Sequence, residues 1–295
     1  MIDKLEMFIA LANERHFGRA AAACGVTQPS LSGALRALEA ELGVQLVWRG
    51  SRFQGLTPEG ARVLDWARRI VADARGMKDE MRAARAGLSG RLRIGVIPTA
   101  LSMVVALTGG FARSHPNVRI TLLSRTSVEI LHQIETLELD AGITYLDNEP
   151  LGRVASVPLY HEAYRLLVAA GSPLAGRAGV TWADVAGQPL CLLTPDMQNR
   201  RIISQHLAAA GLEVDARIES NSVITLVSHV LTGHFASVVP VKTAELFAAQ
   251  PGLVALPIAD PAARHLVGLI TALRDPHTPV LAALIEAAAR VAEAD

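Results

Sequence analysis

Cysteine and aromatic residues are scarce in this sequence. It contains two cysteines, Cys24 and Cys191, and only 4% of its residues are aromatic. Two cysteines so far apart exclude a disulfide scaffold, and because no secretory signal is visible we expect both to be reduced, buried thiols of a cytoplasmic protein. The hydrophobic content of 51% excludes intrinsic disorder, and no collagen-like repeat occurs.

One charge-free stretch, residues 94–111, is long enough to be weighed as a membrane span. Pro98 divides it, and the pair Gly109-Gly110 lies near its end. These residues favour a buried strand followed by a buried helix, so no membrane partner is predicted.

Motifs of catalysis and metal binding are also missing. The sequence has no Walker loop and no GxGxxG, HExxH, CxxC or GxSxG motif. His229 and His234 lie five residues apart, the wrong spacing for two ligands on one helix face. We therefore predict that the protein is not an enzyme and has no catalytic residues, no cofactor and no metal site.

Charge is balanced over the whole chain but not along it. The chain has 28 Lys and Arg against 28 Asp and Glu, yet residues 1–93 alone carry 15 basic and 10 acidic side chains. The total charge therefore predicts no nucleic-acid or membrane partner, whereas a basic N-terminal segment stands apart from a mildly acidic body.

The basic segment has the pattern of a helix-turn-helix unit. Residues 3–13 and 18–24 are predicted helices, and Thr27 is the predicted N-cap of a third helix that stops at Gly43. Short polar groups and an arginine occupy one face of this third helix, as in helices that read DNA bases. The side chains expected to face DNA are Thr27, Gln28, Pro29, Ser30, Ser32 and Arg36.

Residues 45–49 and 53–57 flank a Gly-Ser-Arg turn and predict a two-stranded wing. Arg49 and Arg52 would then lie against phosphates or reach the minor groove. For Arg52 taken alone, an ordinary solvated arginine on a small helical domain is an equally good interpretation.

A long helix is predicted from Thr57, with Pro58 at its first position, to about Ala86. Such a helix packs on its own domain or pairs with a second copy, and pairing is favoured because two-fold DNA sites require dimers. The apolar stripe expected to pair consists of Leu64, Ala67, Val71, Ala74 and Met81. Residues 87–90 break the helix and are predicted to form a linker.

These residues carry a family resemblance. Residues 27–32, 38–39, 42–46 and 56–60, with Arg49 and Arg52 between them, resemble the N-terminal signature of LysR-type transcriptional regulators. Two positions depart from the family pattern. Val47 replaces the usual Phe, and Gly33 replaces a side chain that in many relatives faces DNA, so base readout at that position is not expected.

From residue 91 onward, predicted strands alternate with predicted helices, which indicates parallel sheets wrapped by helices, with ligands at the carboxyl ends of the strands. The predicted strands are 92–97, 119–123, 141–146, 190–193, 216–219 and 236–239. The predicted helices are 101–113, 128–137, 201–210 and 223–231.

The resemblance implies a mixed fold: an N-terminal all-α winged helix-turn-helix with a long linker helix, then a two-lobed α/β effector domain like the type 2 periplasmic binding proteins. The expected bounds are 1–58 for the DNA-binding domain, 59–90 for the linker and dimerisation helix, and 91–295 for the effector domain. Within the effector domain we expect lobe I at 91–162 and 267–295 and lobe II at 163–266.

Loops that follow the predicted strands offer short hydroxyl groups and free backbone N–H groups at helix N-termini, which suit a small anion. Helix capping is the alternative role of each threonine or serine taken singly. The expected effector-binding residues are Thr99, Ala100, Ser102, Thr126, Ser127, Tyr145, Thr194, Gln198 and Asn221.

The resemblance therefore implies a cytoplasmic dimer or tetramer that binds double-stranded promoter DNA and responds to a small carboxylate or other anion. Residues 143–151 also resemble regulators found beside formate dehydrogenase genes, which makes a formate-related acid one candidate effector. The alternative is a cytosolic small-anion binding protein or an enzyme on the same lobes, but that alternative leaves residues 1–90 unexplained.

Overall fold

The computed structural model describes residues 1–48, 52–213, 215–248, 251–259 and 264–292. Its contacts divide the chain into two compact units. The first unit comprises residues 1–87 and 277–279, and the second comprises residues 88–276 and 280–295. None of the helices in the described ranges is long and apolar enough to cross a membrane.

Four helices form the first unit: α1 (Ile2–Glu14), α2 (Phe17–Ala23), α3 (Gln28–Leu42) and α4 (Pro58–Ala86). The predicted ends of α3 are confirmed, because the Thr27 side chain accepts a hydrogen bond from the Ser30 N–H and Gly43 adopts the left-handed C-cap conformation. Phe8, Leu38 and Leu46 are fully buried in the shared core of these helices.

The predicted wing is short in the described residues. Val47 and Leu56 form one antiparallel bridge, and the Trp48 N–H donates to the Gly55 carbonyl at 3.1 Å. Arg49, expected at the wing, lies outside the described residues. Arg52 is exposed.

The prediction that the apolar stripe of α4 pairs with a second copy was wrong for the first half of the stripe. Leu64, Ala67 and Val71 are buried in the core of the first unit, where α4 packs against α1. The large apolar side chains that α4 exposes are Trp66, Ile70, Met77 and Met81, of which only Met81 belongs to the predicted stripe. Spacing alone did not assign Leu64, Ala67 and Val71 to the correct face, because α4 carries apolar side chains on more than one face.

The second unit is α/β. Its strands are β1 (Gly90–Val96), β2 (Val118–Ser124), β3 (Ala141–Tyr145), β4 (Val154–Ala169), β5 (Cys191–Leu193), β6 (Ile218–Ser220), β7 (Ser237–Pro240), β8 (Leu253–Pro257) and β9 (Arg264–Ala272). Its helices are α5 (Val104–Ser114), α6 (Ser127–Glu135), α7 (Trp182–Ala186), α8 (Gln198–Ala209), α9 (Val223–Leu231), α10 (Val241–Ala248) and α11 (Pro279–Ala292), with a 3₁₀ turn at Pro98–Ala100.

Parallel pairing is confirmed for β1 with β2 and β3, and for β5 with β6, but the main sheet is mixed. The main sheet has the order β2-β1-β3-β9-β4-β7, and β9 is antiparallel to both β3 and β4. The first part of β4 pairs with β9 and its last part pairs with β7 and β8, so one strand of 16 residues runs through both lobes.

We use lobe I for the half built on β1–β3, α5 and α6, and lobe II for the half built on β5–β8 and α7–α10. The expected crossings between the lobes, at 162/163 and 266/267, fall within β4 and β9. Position 268 on β9 leaves no room for a side chain, because a Cβ atom there would lie 2.6 Å from the Val157 carbonyl oxygen of β4.

Candidate functional site

The start of α3 carries the residues predicted to face DNA. Thr27, Gln28, Pro29, Ser30 and Arg36 are exposed, and Ser32 is half-buried. Leu31, Leu35 and Leu38 are buried on the opposite face, which fixes the polar face towards solvent.

Three of these side chains make hydrogen bonds along α3. The hydroxyl groups of Thr27 and Ser30 lie 2.9 Å apart, and the Arg36 guanidinium donates to the Ser32 carbonyl at 3.3 Å. Gly33, as its sequence position indicated, adds no side chain to the helix, and a Cβ atom there would meet open space.

A buried polar cluster lies where β3, β4 and α8 meet. The Tyr145 hydroxyl, at the end of β3, donates to the carboxylate of Glu162 on β4 and lies 3.4 Å from the hydroxyls of Thr99 and Tyr164. Asn199, in the first turn of α8, donates to the Tyr145 hydroxyl at 3.1 Å. Thr99 and Tyr145, two of the predicted effector residues, therefore lie side by side, and Tyr145 also contacts a carboxylate that was not predicted.

Burial sets the protonation of this cluster. Removal from water raises the pKa of Glu162 to about 7, although its hydrogen bond from Tyr145 lowers the pKa in part. The pKa values of Tyr145 and Tyr164 are also raised, first by burial and then by the negative charge of Glu162. Both tyrosines are therefore neutral at neutral pH and keep their hydroxyl protons, whereas the carboxyl group of Glu162 titrates near neutral pH.

Side chains of lobe II reach lobe I at several points. Gln198 accepts from the Thr144 hydroxyl at 3.4 Å, and the hydroxyls of Ser102 and Thr243 lie 3.3 Å apart. Arg201 donates to the Ser127 hydroxyl at 3.4 Å and forms an ion pair with Glu149, the loop residue beyond β3. Three of the predicted effector residues (Ser102, Ser127 and Gln198) thus bridge the lobes.

Other predicted effector residues are helix caps or lie apart from the cluster. Thr126 forms a capping box with Glu129 at the start of α6, the alternative role stated for it. Ala100 is fully buried in the 3₁₀ turn, and Asn221 is exposed directly before Ser222, the N-cap of α9. Thr194 has a buried hydroxyl with no hydrogen-bond partner among the described residues.

The two thiols are both protonated at neutral pH. Burial raises the pKa of Cys191 to about 11, and its Sγ lies 3.5 Å from the carbonyl oxygens of Leu226 and Ala236. Burial also raises the pKa of Cys24, which is half-buried. No group of three or more His, Cys, Asp or Glu in the described residues is arranged to hold a metal ion.

Glu162, Asn199 and Arg201 are the cleft residues that sequence reasoning missed. A signal for Glu162 was present, because Tyr160, Glu162 and Tyr164 alternate along one strand and therefore lie on one face. Two aromatic neighbours on the same face indicate a buried environment for the carboxylate. No such local signal marks Asn199 or Arg201, since their partners lie on distant strands and loops.

Comparison with known proteins gives two family matches and close relatives. A family model described as bacterial regulatory helix-turn-helix protein, lysR family, matches residues 2–61, and one described as LysR substrate binding domain matches residues 85–293. The DNA-binding transcriptional dual regulator OxyR of Escherichia coli strain K12 is 32% identical over 273 residues, which cover 91% of this chain and 88% of that protein.

Two further relatives agree with this likeness. A probable hydrogen peroxide-inducible genes activator of Mycobacterium avium is 33% identical over 276 residues, covering 91% of this chain and 87% of that protein. The structure of a full-length OxyR variant from Pseudomonas aeruginosa matches with a TM-score of 0.78 and 26% identity, covering 98% of this chain and 94% of that chain.

Proposed function

This chain belongs to the LysR family of transcription regulators, and from that premise we propose that it reads promoter DNA through α3 and responds to a small molecule in the cleft of its second unit. It is a DNA-binding transcription regulator, and its relatives are regulators rather than enzymes. The observation that carries the proposal is the row of exposed polar side chains at the start of α3, opposite a fully buried apolar face.

Within this proposal, different residues contact the DNA backbone and the DNA bases. Arg52 is exposed and is assigned to phosphate or the minor groove, together with Arg49. Base readout is assigned to the exposed face of α3, because a short polar side chain or an arginine at the start of a recognition helix reaches base edges. The residues assigned to this face are Thr27, Gln28, Pro29, Ser30, Ser32 and Arg36.

The effector is proposed to be small, because the residues that would bind it are buried between lobes in contact with each other. Thr99 and Gln198 are each at most 3% exposed, and the Gln198 amide nitrogen has no hydrogen-bond partner among the described residues. That amide can donate to a ligand. The formate-related acid indicated by residues 143–151 gains no support from the relatives, one of which is named for hydrogen peroxide.

Hydrogen peroxide sensing by a thiol is not favoured for this chain. A sensor cysteine needs thiolate character and solvent access, whereas Cys191 is fully buried and its pKa is raised to about 11. Cys24 lies in the first unit and its pKa is also raised. We therefore propose an effector that binds without reacting with cysteine.

Assembly is proposed to proceed through α4. Trp66, Ile70, Met77 and Met81 are exposed on this helix of the isolated chain, and burying such side chains in a second copy would be favourable. A dimer or tetramer, a cytoplasmic location and the division at 1–58, 59–90 and 91–295 all belong to this proposal.

A gel-shift experiment tests the proposed function. Double-stranded DNA is selected from a random library by successive rounds of binding to the full chain, and the selected DNA is compared with a shuffled duplex of equal composition. We expect a specific shift that excess non-specific DNA does not remove. Equal affinity for both duplexes would contradict the proposal and favour the small-anion binding protein or enzyme.

A further inference from the structure

The carboxylate of Glu162 is placed so that a ligand in the cleft would meet it. Tyr160, Glu162 and Tyr164 occupy one face of β4, and His265 is the register partner of Glu162 on β9. Asn199 of α8 donates to the Tyr145 hydroxyl, which in turn donates to Glu162. Glu162 is only 3% exposed, so its carboxylate is almost entirely removed from bulk solvent.

No cation of the described chain balances this carboxylate. The neutral Tyr145 hydroxyl donates to it, and the neutral hydroxyls of Tyr160 and Tyr164 also lower its pKa. Its second oxygen, Oε2, has no donor within hydrogen-bond distance among the described residues. His265 is directed elsewhere: its Nδ1 lies 3.6 Å from Asp147, and its Nε2 lies 3.0 Å from Nε2 of His206. A buried carboxylate without a cationic partner is costly, and the raised pKa of Glu162 agrees with this.

The arginines beside the cleft are already engaged. Arg201 is paired with Glu149 and Arg200 with Glu219, each with a closest distance of 2.6 Å. Arg125 donates to the Ser124 carbonyl at 2.8 Å. An anionic ligand would therefore meet the carboxylate of Glu162, and it could gain Arg200 or Arg201 only by breaking an existing ion pair.

We propose that Glu162 selects a small organic cation, a primary amine that also carries a hydrogen-bond acceptor, as the ligand of this cleft. The ammonium group donates to Oε2 of Glu162 and lies among the hydroxyls of Tyr145 and Tyr164, and the aromatic rings favour its positive charge. The unpartnered amide of Gln198 donates to the acceptor at the other end of the ligand. This inference rests on the proposed role of the second unit as an effector-binding domain, and it replaces the anion expected from the sequence.

The test uses probes that share a hydroxyethyl group and differ in the charge of the group attached to it. The full wild-type chain is titrated by calorimetry and by thermal unfolding with ethanolamine, 3-hydroxypropionate and ethylene glycol, and with the corresponding series that is one carbon longer. We expect the amines to bind and to raise Tm, because a ligand of the folded state stabilises it. Neither the acids nor the diols should do so.

Glu162→Gln removes the charge and retains the shape. We expect it to weaken amine binding on the order of a hundredfold or more, since the partner of a buried charge is lost. Glu213→Gln is the matched control, because it removes the same charge from an exposed position outside the polar cluster and should leave the preference for amines unchanged. The comparison of probes on the wild-type chain needs no variant and decides the question even if Glu162→Gln does not fold.

Three results would overturn the inference: binding of the acids in preference to the amines, equal amine affinity in wild type and folded Glu162→Gln, or no binding of any amine in either series. A gel shift with selected DNA on the same preparations separates this inference from the proposed function. If the chain binds DNA specifically but no amine, only the ligand class is wrong. If specific DNA binding is absent, the proposed function itself fails.

Discussion

Arg201 and Glu149 form a bidentate ion pair that joins the two lobes of the second unit. Nε of Arg201 lies 2.6 Å from Oε1 of Glu149, and Nη2 lies 2.8 Å from Oε2. Arg201 also donates to the Asp196 carbonyl at 2.7 Å, so a contact within lobe II orients the guanidinium towards lobe I. The hydrogen bond to Glu149 raises the pKa of Arg201, which agrees with a charge-assisted pair.

Breaking this ion pair is expected to loosen the contact between the lobes. Both side chains are about one-third exposed, 31% and 32%, so solvent screens the pair, and a double-mutant cycle of Arg201→Ala and Glu149→Gln should give a coupling of about 1 kcal/mol. Small-angle X-ray scattering of the Arg201 variant should show a larger radius. Arg200→Ala, whose ion pair to Glu219 stays within lobe II, is the control and should leave the radius unchanged.

Gln28→Ala should lose specific DNA binding. Gln28 is exposed at the first position of α3, and loss of a side chain that contacts a base edge costs about 1–3 kcal/mol. Affinity for selected DNA and for random DNA is measured by fluorescence anisotropy. A similar loss on both would show that Gln28 does not read bases.

Arg52→Ala should change the salt dependence of DNA binding. If Arg52 contacts a phosphate, its removal makes the slope of log K against log salt shallower by about one unit. Arg113→Ala removes an equal charge from the exposed face of α5 and should retain the wild-type slope. An unchanged slope in the Arg52 variant would identify a solvated arginine.

The exposed stripe of α4 should carry self-association. Ile70 is 39% exposed and Met77 is 61% exposed, so Ile70→Glu with Met77→Glu should give smaller particles by light scattering and loss of DNA binding, with little change in Tm. Val71→Asp is the contrasting variant: Val71 is 3% exposed, so this change should lower Tm by disrupting the first unit itself. If the double variant retained the particle size of the wild type, the interface between copies would not lie on this face of α4.

Glu162 should make the stability of the chain fall as pH rises towards neutrality. Its pKa is about 7 in the folded state against an ordinary value of 4.5, so the folded chain binds the proton more tightly than the unfolded chain. The protonated side chain therefore contributes about 3 kcal/mol to the free energy of unfolding. This contribution is fully present below the pKa of Glu162 in the unfolded chain and is lost as pH rises through its pKa in the folded chain. Urea unfolding across this range should therefore show a flatter pH dependence for Glu162→Gln than for wild type.

An exposed glutamate provides the control for that comparison. Glu213→Gln should retain the wild-type pH dependence, because Glu213 lies at the surface. Identical slopes in the wild type and in Glu162→Gln would mean that the carboxylate is not the group that titrates.

The first unit was predictable because its signals are local. Thr27 and Thr57 cap helices through hydrogen bonds to residues three positions ahead, and Gly43 ends α3 with a left-handed backbone. The apolar residues of α3 at helical spacing face inwards as expected. Such patterns depend on residues within one or two helical turns, so they can be predicted from the sequence alone.

The site in the second unit was only partly predictable, for the opposite reason. Thr99 and Tyr145 were expected in one cleft, and their hydroxyls lie 3.4 Å apart. The carboxylate that Tyr145 contacts comes from β4, whose place depends on antiparallel pairing with β9. The same holds for α4, where its packing against α1 decides which of its apolar side chains stay exposed. Sequence periodicity gives the faces of each element, but the choice of partner for a face is a long-range contact, and only the tertiary structure fixes it.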